Sequence, residues 1–200
     1  SGYNKVTGIT RCGCWAHLRR YFVDTIEAGT TQGAGFTNAE IGRNYCDQLF
    51  AMEKSLAPLS AEQRKEERLK LEKPLLEAFW CWLETLDPLR GSRLGKAVTY
   101  AFGQKPYMEN YLLDGRCSIS NNLAENSIRP FTVGRKNWLF SSSVDGANAS
   151  AVVYTMVEMA KAHGMNIYGY LKFLLENRPG KNMTDEQLAE LAPWSEKLRV

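Results

Sequence analysis

Three stretches of this chain read as reciprocal helix starts: Thr37-Asn38-Ala39-Glu40, Ser60-Ala61-Glu62-Gln63 and Thr184-Asp185-Glu186-Gln187. In each, a hydroxyl can accept from the third helical N–H while Glu or Gln reaches back to the cap N–H. Apolar residues then recur at helical spacing. Ile41, Tyr45, Leu49, Met52 and Leu56 form one stripe, and Leu75, Leu76, Phe79, Leu83 and Leu86 form another beyond Pro74. A chain punctuated in this way is committed to packed helices.

The same periodicity places Trp15, Leu18, Phe22 and Ile26 on a helix that stops at Gly29. It predicts a helix over 88–105 with Leu89, Leu94, Val98 and Ala101 or Phe102 inward. Pro74 should kink the long charged helix, and a short helix over 121–130 should end at Pro130. A further helix is expected from Asp145 to His163, with Val152, Thr155, Met156 and Met159 inward, stopped by Gly164. Asn166 caps the next, carrying Ile167, Tyr170, Leu171, Leu174 and Leu175. Two short runs, residues 6–14 and 137–140, read as strands. The expected class is therefore mostly α with a few strands (α+β).

Composition supports a packed core: 44% of the 200 residues are hydrophobic, and no run approaches the ~18 apolar residues of a membrane span. No cationic leader precedes an apolar stretch, so a soluble, unexported chain is expected. Five cysteines, an odd number and mostly isolated, argue against a disulfide framework. Cys12-Gly13-Cys14 with His17 lacks a second pair of zinc ligands and reads as buried small residues at a strand end. Lys plus Arg exceeds Asp plus Glu by only 25 to 22, so any basic site must be local. The charged run 62–73, with five basic and four acidic residues, reads as a solvated helix face.

The chemistry concentrates in 114–140. Within 115–140 the cations Arg116, Arg129, Arg135 and Lys136 accompany one acid, Glu125. A lone carboxylate among cations and amides suits a divalent metal beside a phosphodiester. Asn121, Asn122 and Asn137 are neutral groups able to bond phosphate or sugar. An alternative stays open: Asn122-Leu123-Ala124-Glu125 is also an acceptable capping box, and Glu125 with Arg129 an ordinary ion pair. Leu123, Ala124, Ser127, Ile128 and Phe131 would line another side of the same helix. Trp138 and Phe140 read as core residues rather than base-stacking ones, His17 as structural, and His163 as a partner of its helix C-terminus.

The segment Asn121-Asn122-Leu123-Ala124-Glu125-x-x-Ile128-Arg129-Pro130, followed by Gly134-Arg135-Lys136-Asn137-Trp138-Leu139-Phe140, resembles the signature of the insertion sequence 66 family of bacterial DDE-type transposases. Upstream, Gly13-Cys14-Trp15-Ala16-His17-x-Arg19-Arg20-x-Phe22 is similar to a strand-to-helix segment of that family. Downstream, Asp145-Gly146-Ala147 and Tyr168-x-Tyr170-Leu171 extend the likeness over essentially the whole chain. Ser120 departs from it, standing where the family often has an acid.

The resemblance implies the C-terminal part of a ribonuclease-H-like catalytic fold. Residues 1–28 and 113–180 would belong to the core, 29–112 would be a helical insertion, and 181–200 a tail helix. It implies a triad of two aspartates and Glu125 holding two Mg²⁺ or Mn²⁺ ions that cut and join DNA strands. The second aspartate would lie just before Ser1 and the first farther upstream, so this chain alone is expected to be inactive. Arg129, Arg135, Lys136, Asn137, Asn121, Asn122, Arg19 and Arg20 become the expected DNA contacts, with Glu125 catalytic and metal-binding. Double-stranded transposon-end and target DNA, a homo-oligomeric active complex and a bacterial cytoplasm complete the implication. The competing expectations are a non-catalytic helical DNA-binding module or decayed remnant, and a helical protein-interaction domain.

Overall fold

A computed structural model describes the backbone of residues 7–28, 36–138, 141–180 and 182–198, and all of their side chains except those of 135–138 and 197. The helices are α1 (Trp15–Ala28), α2 (Asn38–Leu56), α3 (Ala61–Glu84), α4 (Arg93–Met108), a 3₁₀ turn (Asn110–Leu113), α5 (Asn122–Trp138), α6 (Val144–Ala162), α7 (Ile167–Glu176) and α8 (Asp185–Glu190). No described helix is long and apolar enough to cross a membrane.

The expected strands are absent among the described residues, which form an all-α chain and not an α+β, ribonuclease-H-like part. Residues 9–14 are irregular because their polar groups meet tertiary partners instead of a ladder. The Gly13 N–H donates to the Tyr107 carbonyl at 2.7 Å, and Asn110 Nδ2 donates to the Arg11 carbonyl at 2.7 Å. Residues 137 and 138 continue α5, whereas 139 and 140 lie outside the described residues. Strand propensity over so few residues yields to context.

The caps form as the spacing requires. The Glu40 N–H donates to Thr37 Oγ1, and Glu40 returns a carboxylate to the Thr37 N–H. Ser60 with Gln63 and Thr184 with Gln187 repeat this arrangement. Asn166 accepts from the Gly169 N–H, and Gly164, at φ +69°, closes α6 in the left-handed region that glycine tolerates. Pro130 does not end its helix as expected. Helix α3 runs on through Pro74, α4 holds Pro106, and α5 continues past Pro130 for two further turns. One missing N–H is a local cost that packing on either side can outweigh. The helix expected from 88 begins only at Arg93, leaving Leu89 exposed. Helix α5 takes Asn122 as its first helical residue rather than as its cap.

The chain divides into two compact units, residues 1–123 and 124–200. In the first, α1 packs on α2 and α4, and α2 on α3. Trp15, Leu18, Phe22, Cys46, Leu49, Leu76, Phe79, Leu83, Ala101 and Met108 fill the core. Trp15 and Phe79 meet edge to face at 5.4 Å, and Phe79 and Trp80 at 4.9 Å. At the start of α1 the Trp15 N–H donates to the Ile119 carbonyl at 2.9 Å, and Trp15 Nε1 to the Met108 carbonyl at 3.0 Å. These bonds satisfy an orphan helix donor and fasten the 13–17 segment to the loop preceding Asn121. The half-buried Cys12 thiol is pushed up by burial and by Cys117.

The second unit is more open. Phe131 of α5 meets Tyr154 of α6 edge to face at 5.2 Å, and Tyr170 of α7 donates to the Leu191 carbonyl at 2.9 Å. Among the residues expected inward on α6, Val152 and Thr155 are exposed; Ala160 is the buried position.

Candidate nucleic-acid interface

Helix α1 turns Trp15, Leu18 and Phe22 inward, so the residues between them look outward. Ala16, Arg19, Arg20 and Val23 form one wall of a cleft of about 570 Å³. Helix α2 supplies Asp47 and Phe50, and Asn122, at the start of α5, completes the lining. Arg19 Nε donates to Asp47 Oδ1 at 2.5 Å, and Arg43 Nε lies 3.6 Å from Asp47 Oδ2. The hydrogen bond that Arg19 donates to Asp47 raises the basicity of its guanidinium further. Three guanidinium groups against one carboxylate make this face cationic, and Arg19 and Asp47 keep about two fifths of their side-chain surface in solvent. Such a surface can take an anion without a large desolvation cost. Arg19, Arg20 and Asn122, far apart in sequence, are thus brought together; Asn121 lies beside them in sequence and is exposed.

The remaining expected contacts lie on α5. Glu125 stands in its first turn, and Arg129 follows one turn later; both are exposed. At about 100° per residue, unbroken helix brings positions 125, 129 and 136 onto one stripe within about 40°, whereas 135 and 137 fall on either side of it. This register exists only because the helix passes Pro130. The side chains of Arg135, Lys136, Asn137 and Trp138 lie outside the described residues. The opposite side of α5, at Ser127, Ile128 and Phe131, lines an apolar cleft of about 340 Å³ with Tyr154, Thr155 and Met159 of α6. That face was expected to be apolar. Leu123, expected with it, is exposed.

Glu125 alone does not build the implied metal centre. No three of His, Cys, Asp or Glu gather into a metal-ligating group among the described residues, and two ions need more carboxylates than one helix position supplies.

The sequence reading missed the residues that hold the approach to this segment. Arg64 and Arg68 of α3, read as solvated, reach inward. Arg64 donates to the carbonyls of Leu56, Ala57, Leu59 and Gly115. Arg68 and Glu72 are fully buried. The signal was present: the apolar stripe at 76, 79 and 83, continued backward in steps of four, lands on 72 and 68. Arg116 clasps Asp114 with two nitrogens, at 2.6 and 3.0 Å, and holds that carboxyl well below the usual carboxylate range.

Three curated relatives from Sinorhizobium fredii (strain NBRC 101917 / NGR234) are similar along nearly all of this chain. Uncharacterized protein y4qI is 32% identical over 94% of the chain and 34% of its own length. Uncharacterized protein y4hP is 30% identical over 96% and 36%, and uncharacterized protein y4jD 28% identical over 92% and 35%. The chain therefore spans about a third of the length of the curated relatives it matches. No solved structure gives a significant match. The sequence model described as the transposase IS66 family covers residues 1–149, from the segment before α1 through the Glu125 helix and into α6, and the chain belongs to that family.

Proposed function

We propose that this chain is a DNA-engaging part of a transposase, gripping the backbone of double-stranded transposon-end or target DNA at the α1–α2 cleft. The observation that carries the reading is the convergence of Arg19, Arg20 and Asn122 on one cationic cleft. Asp47 ties Arg19 through Nε, and among the described residues the two Nη groups of Arg19 have no protein partner. They suit two oxygens of a phosphate. Asn121 and Asn122 supply neutral hydrogen bonds to phosphate or sugar, and Arg129, Arg135, Lys136 and Asn137 of the second unit are further cationic and amide groups suited to DNA backbone. In the whole protein, working as an oligomer, Glu125 would be the one ligand this chain offers to a divalent ion such as Mg²⁺ or Mn²⁺, which would supply Lewis acidity for strand cleavage and transfer.

The test is binding of a labelled duplex by the chain across a salt series. Affinity should fall as salt rises, with a log–log slope reduced by about one for each phosphate contact removed. Arg19→Ala and Arg20→Ala should each weaken binding across unrelated duplexes while leaving the unfolding transition in place. Salt-insensitive binding, or variants that bind like the parent chain, would overturn the reading.

A further inference from the structure

Apart from the cationic cleft, the first unit buries a second group of charges with no part in the DNA reading. Arg68 and Glu72, one turn apart on α3, are both 0% exposed. Arg68 satisfies all five of its N–H donors. Nε and Nη2 clasp Glu53 of α2 at 2.6 and 2.9 Å. Nη1 donates to the carbonyls of Tyr111 and Asp114 at 3.0 and 3.1 Å, and Nη2 also donates to the Cys117 carbonyl at 2.8 Å. The loop 111–117 is therefore draped over one guanidinium, a few residues before Asn121.

Glu53 already balances the charge of Arg68. Glu72 is the third charge and has no counterion of its own. Its Oε2 accepts from the Tyr111 hydroxyl at 2.8 Å, but its buried Oε1 has no hydrogen-bond partner. The groups acting on it are Tyr111 from the 3₁₀ turn, Glu53 from α2 and Arg68 from its own helix. The Cys12 thiol feels both Cys117 and Arg68. An ionised Glu72 would thus leave one uncompensated negative charge and one orphaned oxygen in the interior, and both are costly. A proton on Oε1 removes both faults: the cluster becomes neutral, and the orphan becomes a donor facing an already anionic glutamate.

We propose that Glu72 is held as the neutral carboxylic acid in the folded chain, and that this proton makes the anchoring of the 111–117 loop sensitive to pH. Burial, reinforced by the charge of Glu53 and opposed by the Tyr111 hydrogen bond and by Arg68, pushes this carboxyl up to about 8. The folded value lies above the ordinary carboxyl value. The group's contribution to stability is therefore complete below the ordinary range and is lost as pH rises through the folded value. On ionisation, Glu72 competes with the loop carbonyls for Arg68, so the loop loosens as the solution becomes alkaline.

Infrared spectroscopy of the full chain tests the proton directly. Wild type should show a protonated carboxylic acid band at about pH 6 that disappears by about pH 9, well above the range of an exposed carboxyl. Glu72→Gln, a neutral isostere, should lack that band. Its urea midpoint should stay level between those pH values while the wild-type midpoint falls, and at the alkaline end the variant should match or exceed wild type. Hydrogen exchange at residues 112 and 117, corrected for intrinsic rates, should lose protection with rising pH in wild type only. Absence of the band in wild type would overturn the proposal, even if the variant failed to fold. So would a Glu72→Gln midpoint that falls in parallel with wild type, and a band unaccompanied by any pH-dependent loop protection would overturn the coupling.

Discussion

Arg64 and Arg68 hold the chain ahead of Asn121 by backbone carbonyls, so what they fix is the path of the loop rather than any particular side chain on it. A lysine at 68 would keep the charge but not the planar fork that serves Glu53 and three carbonyls together. Arg68→Lys should lower unfolding free energy by roughly 3–5 kcal/mol, because it leaves a buried carboxylate and carbonyls underserved; urea denaturation measures it. Arg64 is half-buried and bonds carbonyls alone, so Arg64→Ala should cost less, about 1 kcal/mol. Gly115 belongs to the same loop. A Cβ there would collide with the carbonyl of Ala61 at the start of α3, whereas a Cβ on Gly42 would press on the Phe22 ring at 2.5 Å. A ring can shift and a helix backbone cannot. Gly115→Ala should therefore lower the thermal midpoint more than Gly42→Ala, and the reverse order would contradict the packing described.

At the scale of the element, helix starts were legible because a cap is a contact between residues three apart. Thr37, Ser60, Asn166 and Thr184 all cap as their local sequence requires. Thr37→Ala should destabilise by about 1 kcal/mol, and Thr37→Ser should restore most of the loss; thermal unfolding distinguishes the two. Helix ends at prolines were not legible. Pro130 removes one donor, but whether the helix stops depends on what packs beyond it, and Phe131 seats against Tyr154 immediately afterwards. The stripe on α3 was legible at Leu76, Phe79 and Leu83 and misread at Arg68 and Glu72, because their partners, Glu53 and Tyr111, lie 15 and 39 residues away. On α1, the inward face at Trp15, Leu18 and Phe22 was readable, and with it the outward position of Arg19 and Arg20; the cleft they share with Asp47 was not.

For the whole molecule, the two units differ in completeness. The first closes around an aromatic core, whereas the second leaves Ile128, Val133, Val153, Tyr168 and Leu175 more than half exposed. The candidate chemistry is uneven as well: a cationic cleft lies within residues 1–123, and Glu125 begins the second unit without a metal-ligating group around it among the described residues. This chain should therefore bind duplex DNA in a salt-dependent way yet leave it uncut when Mg²⁺ or Mn²⁺ is added, as read by strand-cleavage gels. Cleavage by the isolated chain, abolished by Glu125→Gln, would show that the missing ligands are supplied in another way.

The sequence by itself determined where the capped helices α2, α3, α7 and α8 begin, which apolar residues of α1 to α3 turn inward, and which family motifs the chain carries, because each is encoded within a few residues. Only the tertiary structure decided that residues 9–14 form no strand, that α5 runs through Pro130, and that Arg68 and Glu72 are interior. Those outcomes depend on hydrogen-bond partners and packing surfaces supplied by distant segments, and on whether burial there outweighs the local cost of a lost donor or a buried charge.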